Sequence, residues 1–196
     1  MLVSLERVEY ILLVLWGIYT NYSNTTALSA RMITMAVDFT PATIAIEKLR
    51  LDIENPRLLE HVVTGNAPEN QEQLEASISG DGQFTSLLRS IKKSGVNNSI
   101  WVTRLPDGYF LVREGNRRIT CLRKLVRENV APPEGVSYET VPANILNENA
   151  TELEIKVLCG SLQTGKAEWG AFQYAAYVAD LHNKEHMPLE DIAIEL

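Results

Sequence analysis

Apolar and polar residues alternate from Thr43 to Asp52 in "TIAIEKLRLD", the period-2 pattern of a strand with one buried face. Asn55 before Pro56 is pushed out of helical geometry, so "ENPRL" ends the strand and the polar "TGNAPEN" follows as a loop. Glu69 to Ser79 and Phe84 to Ser94 carry helical spacing, interrupted by Gly80-Asp81-Gly82. Gly95 supplies a left-handed residue to close the second of these, and Lys92 and Lys93 suit its last turn. "SIWVTR", "LPDG" and "YFLVR" then read as strand, turn and returning strand, a β-hairpin from Ser99 to Arg113. A helix is predicted from near Arg117, ending before Pro132-Pro133, and Thr140 to Leu146 is a further short strand. Thr151–Gln163, Trp169–Lys184 and Pro188–Leu196 all read as helix. The layout is α+β: a small mixed-structure domain over 43–147, followed by a helical segment over 151–196.

The N-terminus stands apart from this pattern. Val8 to Thr20, "VEYILLVLWGIYT", is apolar, but it is too short to span a bilayer and lacks the basic flank of a signal peptide. Polar residues and two methionines, Met32 and Met35, separate it from the first strand. Residues 1–34 are expected to be an extension outside the folded domain; a membrane anchor is the weaker alternative, and no membrane partner is assigned.

Composition narrows the partners. The 18 Lys+Arg against 25 Asp+Glu give a formal charge of −7, so any nucleic-acid contact must use a local basic patch. Cys121 and Cys159 lie far apart, outside any C-x-x-C spacing, among apolar residues of predicted helices. Buried reduced thiols in a cytoplasmic protein follow, rather than a disulfide or a zinc site.

Against that acidic background, "VREGNRRITCL" (Val112 to Leu122) places three arginines around one glycine where a strand becomes a helix. Gly115 permits a tight turn and Asn116 is a favourable N-cap, so the junction presents backbone N–H groups at the positive end of a helix. Arg117 and Arg118 in the first turn oppose the macrodipole unless something negative sits there. At 100° per residue, Ile119, Leu122, Leu125 and Val126 share one face, and Arg123, Lys124 and Arg127 lie opposite. Arg118 falls in the apolar sector and Arg117 at the edge of the basic face. Two readings stay open here: an internal salt bridge from Glu114 or another acid to Arg118 beside a solvated basic face, or a phosphate-binding strand–turn–helix.

"EGNRR" after a hairpin, "NPR" upstream, "SIKKSG" before "SIWV" and the helical tail together resemble the ParB/sulfiredoxin-like superfamily, above all the ParB-type N-terminal domain, over about Ile44 to Leu196. The resemblance implies a nucleoside triphosphate, CTP or ATP, held at Gly115, Asn116, Arg117 and Arg118 with Glu114 beside them, and Mg²⁺ as a candidate companion. Asn55-Pro56-Arg57 occupies the family's early Asn-Pro-Arg element, and Arg57 is carried over as a binding residue. Gly95 to Ile100, "GVNNSI", stands where the family has Gly-x-x-Gln-Pro-Ile near the base, with Asn98 and Ser99 in place of Gln-Pro. The family's Glu-Asn-x-x-Arg element falls at Gly160 to Thr164, where neither acid nor arginine is present. That departure makes metal-assisted hydrolysis doubtful. The resemblance also implies DNA as a partner, with "PLEDIAIEL" as the first helix of an incomplete helix-turn-helix whose recognition helix is missing. Arg123, Lys124 and Arg127 are then the candidate DNA contacts, weak and without sequence preference. A homodimer is a candidate assembly.

Other features carry less. Cys121 lies inside the helix, away from the Gly-Cys-His-Arg position that sulfiredoxins use, and no compact Asp/Glu/His set supports a nuclease. His182 to His186, "HNKEH", matches the H-x-x-E-H zinc string by coincidence, since Met187-Pro188 ends the helix at once. His61 is isolated. Trp169, Phe172, Tyr174 and Tyr177 read as packing before nucleic-acid stacking. Two functions from different classes remain: a nucleotide-responsive, partition-type DNA-binding module, and a small enzyme of phosphoryl or nucleotide chemistry on the same scaffold, with Glu114 and Glu47 as nearby acids.

Overall fold

The computed structural model describes residues 37–53, 68–162 and 171–195, with no side chains described at 171–174 and 194–195. These residues fall into two compact units, 37–150 and 151–195. Among the described residues no helix is long and apolar enough to cross a membrane.

The first unit is a five-stranded mixed sheet with helices. Its strands are β1 (Phe39–Ala45), β2 (Leu49–Leu51), β3 (Ile100–Arg104), β4 (Phe110–Glu114) and β5 (Thr140–Leu146), in spatial order β1-β5-β3-β4-β2. β1–β5 and β3–β4 are antiparallel; β3–β5 and β2–β4 are parallel. Helices α1 (Gln71–Ser79), α2 (Phe84–Ser94) and α3 (Asn116–Arg127) pack together, with α1 also against β2. One core runs through Leu49, Leu51, Leu74, Ile91, Ile100, Val102, Val112, Ile119 and Leu122.

The expected single strand over Thr43–Asp52 is two strands broken by a 3₁₀ turn at Ile46–Lys48. The buried positions show why: Ile44 and Ile46 share one phase, and Leu49 and Leu51 share the other. Two polar residues, Glu47-Lys48, slip the alternation by one, and the turn restores the same face to the core. β1 extends back through Pro41, tolerated because β1 is at the end of the sheet order. β5 contains Pro142, which pairs with Thr43 but lies just outside the stretch paired with β3, beginning Ile100↔Ala143. The missing N–H thus falls where β5 has a strand on one side only.

α1 starts at Gln71, two residues later than the spacing predicts, because Asn70 accepts from the Gln73 amide at 2.9 Å and caps it. The Gln71 side chain reaches the end of β2, accepting from Leu51 N at 2.7 Å and donating to Leu51 O at 2.9 Å.

The second unit comprises α4 (Glu152–Ser161), α5 (Ala171–Asn183) and α6 (Leu189–Glu195). A capping box between Thr151 and Glu154 starts α4. The same hydrogen bonds from Thr151 hold the Glu154 carboxyl below its ordinary value. Val157, Tyr177, Val178, Leu181, Met187 and Ile192 form its core. Lys156 bridges Asp180 (2.6 Å) and Glu185 (2.7 Å), and Tyr177 donates to the Lys156 carbonyl.

Candidate anion site at the strand–helix junction

The junction is built by an irregularity in the sheet. Val112 stands opposite Val102, but Glu114 rather than Arg113 stands opposite Trp101, so Arg113 is the extra residue of a β-bulge. Bulges re-aim the side chains beyond them. Arg113 meets Asp52 at 3.5 Å, and Glu114 is turned into a buried position. Gly115 follows with φ 110°, a conformation open to glycine at little cost. A Cβ here would lie 2.5 Å from Ile100 Cγ2, so the turn also needs glycine to pass against β3.

Gly115, and not Asn116, occupies the N-cap, and no side chain caps the helix. Asn116 is already the first helical residue and is buried. Its Oδ1 accepts from Asp52 N at 3.0 Å and its Nδ2 donates to Val112 O at 3.0 Å. The expectation that Asn116 caps α3 is corrected: the amide satisfies two backbone groups on β4 and just past β2, which a solvent-facing cap could not reach. Asn116 therefore ties the chain after β2 to the start of α3.

The two arginines are held differently. Arg118 donates from Nη1 to the carbonyls of Asn98 (2.6 Å) and Ser99 (3.2 Å), and from Nη2 to Glu114. The internal salt bridge from Glu114 is thus present, with Arg118 and Glu114 only 13% and 10% exposed. It brings Glu114, Gly115, Arg118, Asn98 and Ser99 into one cluster. Arg117 points to the turn between α1 and α2: its Nη1 lies 3.4 Å from Asp81 Oδ2 and 3.0 Å from Gln83 Oε1. Asp81 and Gln83 were not expected at the site. The signal was the Gly80-Asp81-Gly82 interruption, an acid set in a glycine turn.

Arg123, Lys124 and Arg127 are not a uniformly solvated face. Arg123 binds Glu75 Oε1 at 2.6 Å and the Leu49 carbonyl, joining α3 to α1 and β2. Arg127, 60% exposed, lies 2.7 Å from Glu75 Oε2, and Lys124 meets Glu128 at 2.7 Å. The buried Glu75 pairs with two of the three cations, Arg123 inside and Arg127 at the surface. Burial pushes the Cys121 thiol up to about 12 against the opposing pull of Arg117, so it is a neutral core group near pH 7. The His182 ring bonds the Met187 carbonyl at 2.9 Å, and α5 ends at Asn183, so His186 does not continue the helical face of His182. Arg57, His61, Trp169, residues 1–34 and the last two positions of Gly160–Thr164, with the side chains of Phe172 and Tyr174, lie outside what the structure describes.

Chemically, the junction offers an uncapped helix N-terminus, two guanidinium groups and a backbone turn, which fit an anion with several oxygens. Its carboxylates, Glu114 and Asp81, are both engaged by arginine. Among the described residues no group of three His, Cys, Asp or Glu side chains could hold a metal ion.

No family model matches the chain, and no curated protein matches it. Among solved structures it is similar to the C-terminally truncated chromosome-partitioning protein ParB from Caulobacter crescentus complexed with CTP-γ-S: identity 21%, TM-score 0.39, covering 79% of this chain and 69% of that one. It is similar to the same protein complexed to the centromeric parS site: identity 18%, TM-score 0.43, covering 79% and 63%. It is also similar to a Pnob8-like ParB-N domain: identity 11%, TM-score 0.48, covering 76% of this chain and 47% of that domain's chain.

Proposed function

We propose that the chain is a ParB-like, nucleotide-responsive module of a partition or DNA-associated system, with 43–147 as the nucleotide domain and 151–196 as a helical region related to a helix-turn-helix. The observation that carries this reading is a helix start at Gly115 without a side-chain cap, with Arg118 and the Asn98–Ser99 backbone gathered at it and Arg117 in the same first turn reaching toward Asp81 and Gln83. Phosphate oxygens accept from the first-turn N–H groups and from Arg117. Arg118 holds the Asn98–Ser99 segment against the junction and so fixes where the rest of the nucleotide lies. Arg57 is a further candidate contact from the motif resemblance. CTP and ATP are the candidate nucleotides from the motif resemblance, with Mg²⁺ carried by the nucleotide's own phosphates. Arg123, Lys124 and Arg127 supply a weak phosphate-backbone footprint for DNA. Cytoplasmic residence suits the buried Cys121 thiol.

Isothermal titration with CTP, ATP, GTP and ADP, each with and without Mg²⁺, tests the reading. At least one triphosphate is expected to bind, and Arg117→Ala to weaken it by about tenfold, the value of one charge-assisted contact. Equal affinity in wild type and Arg117→Ala would place the ligand elsewhere.

A further inference from the structure

Asp81 sits in the short turn between α1 and α2, thirty-six residues from Arg117 in sequence, and its two oxygens have separate tasks. Oδ1 accepts from the Gln83 amide at 2.9 Å, a local contact that starts α2. Oδ2 faces Arg117 at 3.4 Å, long for a charged pair, which settles near 2.7–2.9 Å when fully formed. The same Nη1 is shared with the neutral Gln83 oxygen at 3.0 Å. The neighbouring pairs on α3 are closer: Arg123 to Glu75 at 2.6 Å, and Arg118 on three acceptors. Asp81 is also the more solvent-reached acid, 29% exposed against 10% for Glu75 and for Glu114. Of these three arginine contacts, the one at Arg117 is therefore the one a stronger anion can exchange.

We infer that Asp81 is an internal occupant of the anion site, an autoinhibitory carboxylate that a bound triphosphate displaces from Arg117, releasing the Gly80–Gly82 turn. The inference rests on the phosphate reading of 114–118 and adds regulation to it. In the absence of ligand, Asp81 offsets the unfavourable cation in the first turn of α3. A triphosphate brings more negative charge to the same place, takes the guanidinium, and repels the carboxylate. The turn can yield: glycines flank Asp81, and nothing lies within 4 Å of where a Gly82 Cβ would be. Gln83 stays to orient Arg117. Because α1 and α2 both pack on α3, the turn is a natural readout of occupancy.

The test compares wild type with Asp81→Asn, which keeps the Oδ1 acceptor for Gln83 N and removes the charge. Titration with CTP and with inorganic tripolyphosphate is expected to give about three- to tenfold tighter binding of both by the variant. Hydrogen exchange on saturated wild type is expected to slow at 114–118 and quicken at 80–83. If wild type binds but Asp81→Asn binds equally or more weakly, or if 80–83 becomes more protected on saturation, Asp81 positions Arg117 or contacts ligand, and the latch is wrong while the site stands. If neither protein binds either probe, the phosphate reading itself falls, and the latch with it.

Discussion

Arg117 and Arg118 carry the same group one residue apart, yet the helix turns them toward different surroundings. Arg118 satisfies one buried carboxylate and two carbonyls from a segment about twenty residues away. Removing it leaves all three acceptors without that donor, so Arg118→Ala is expected to cost about 3 kcal/mol of folding stability. Arg117→Ala, ending a longer and better hydrated contact, is expected to cost less than about 1 kcal/mol. Urea midpoints for the two variants check the ordering. The helical wheel made half of this legible: it turned Arg118 inward, and left its partner open between Glu114 or another acid and a phosphate. It could not name Asn98 and Ser99 as carbonyl acceptors, because a backbone oxygen leaves no residue-type signature. Asn116 misled for a related reason. Its amide suits a cap, but the same donor and acceptor suit Asp52 N and Val112 O, and only the fold shows those groups are near.

Elements bounded by strong punctuation are legible in the sequence. The β3–β4 hairpin brackets Pro-Asp-Gly, α2 ends at Gly95, and β5 spans Thr140–Leu146 as predicted. The break between β1 and β2 is also written in the chain, as a phase slip at Glu47-Lys48, but a slip of one residue leaves the apolar–polar alternation nearly intact. Distant ion pairs left no such trace, and Lys156 is one. Burial alone would lower its pKa, but the hydrogen bonds it donates to Asp180 and Glu185 outweigh that and hold it above its ordinary 10.5. For Asp180, burial alone would raise the pKa, and the bonds to Lys156 and Lys184 hold it below its ordinary 3.8. The signs follow. Asp180 contributes stability above its ordinary value and loses it as pH falls through the lowered one. Lys156 contributes below 10.5 and loses it as pH rises through the raised value. Circular dichroism melts of wild type and Lys156→Met should differ by a constant amount from about pH 5 to 9 and converge at both extremes.

At the scale of the molecule, a charge of −7 sets the terms for polyanions. The three cations on α3 proposed above for DNA each have a carboxylate within 2.7 Å, so binding a phosphate means exchanging an existing partner. Fluorescence anisotropy with labelled duplexes is expected to show weak, sequence-indifferent binding, with a log–log salt slope no steeper than about 3. A slope well beyond that, or tight sequence-selective binding, would locate the DNA surface away from α3. The two units keep separate cores, 44–145 and 157–192, so each ion-pair variant is expected to report on its own unit.

The Gln71 amide on Leu51 has a meaning beyond α1. Among the described residues β2 ends the sheet order, and an end strand carries N–H and C=O groups that its one neighbour does not pair. Gln71 takes both groups of Leu51, standing in for the strand that would otherwise add at that point. Its substitution matters for crowding as well as for folding. Gln71→Leu is expected to lower the melt by leaving both Leu51 backbone groups without their partner, and light scattering should rise with protein concentration as β2 templates edge-to-edge association.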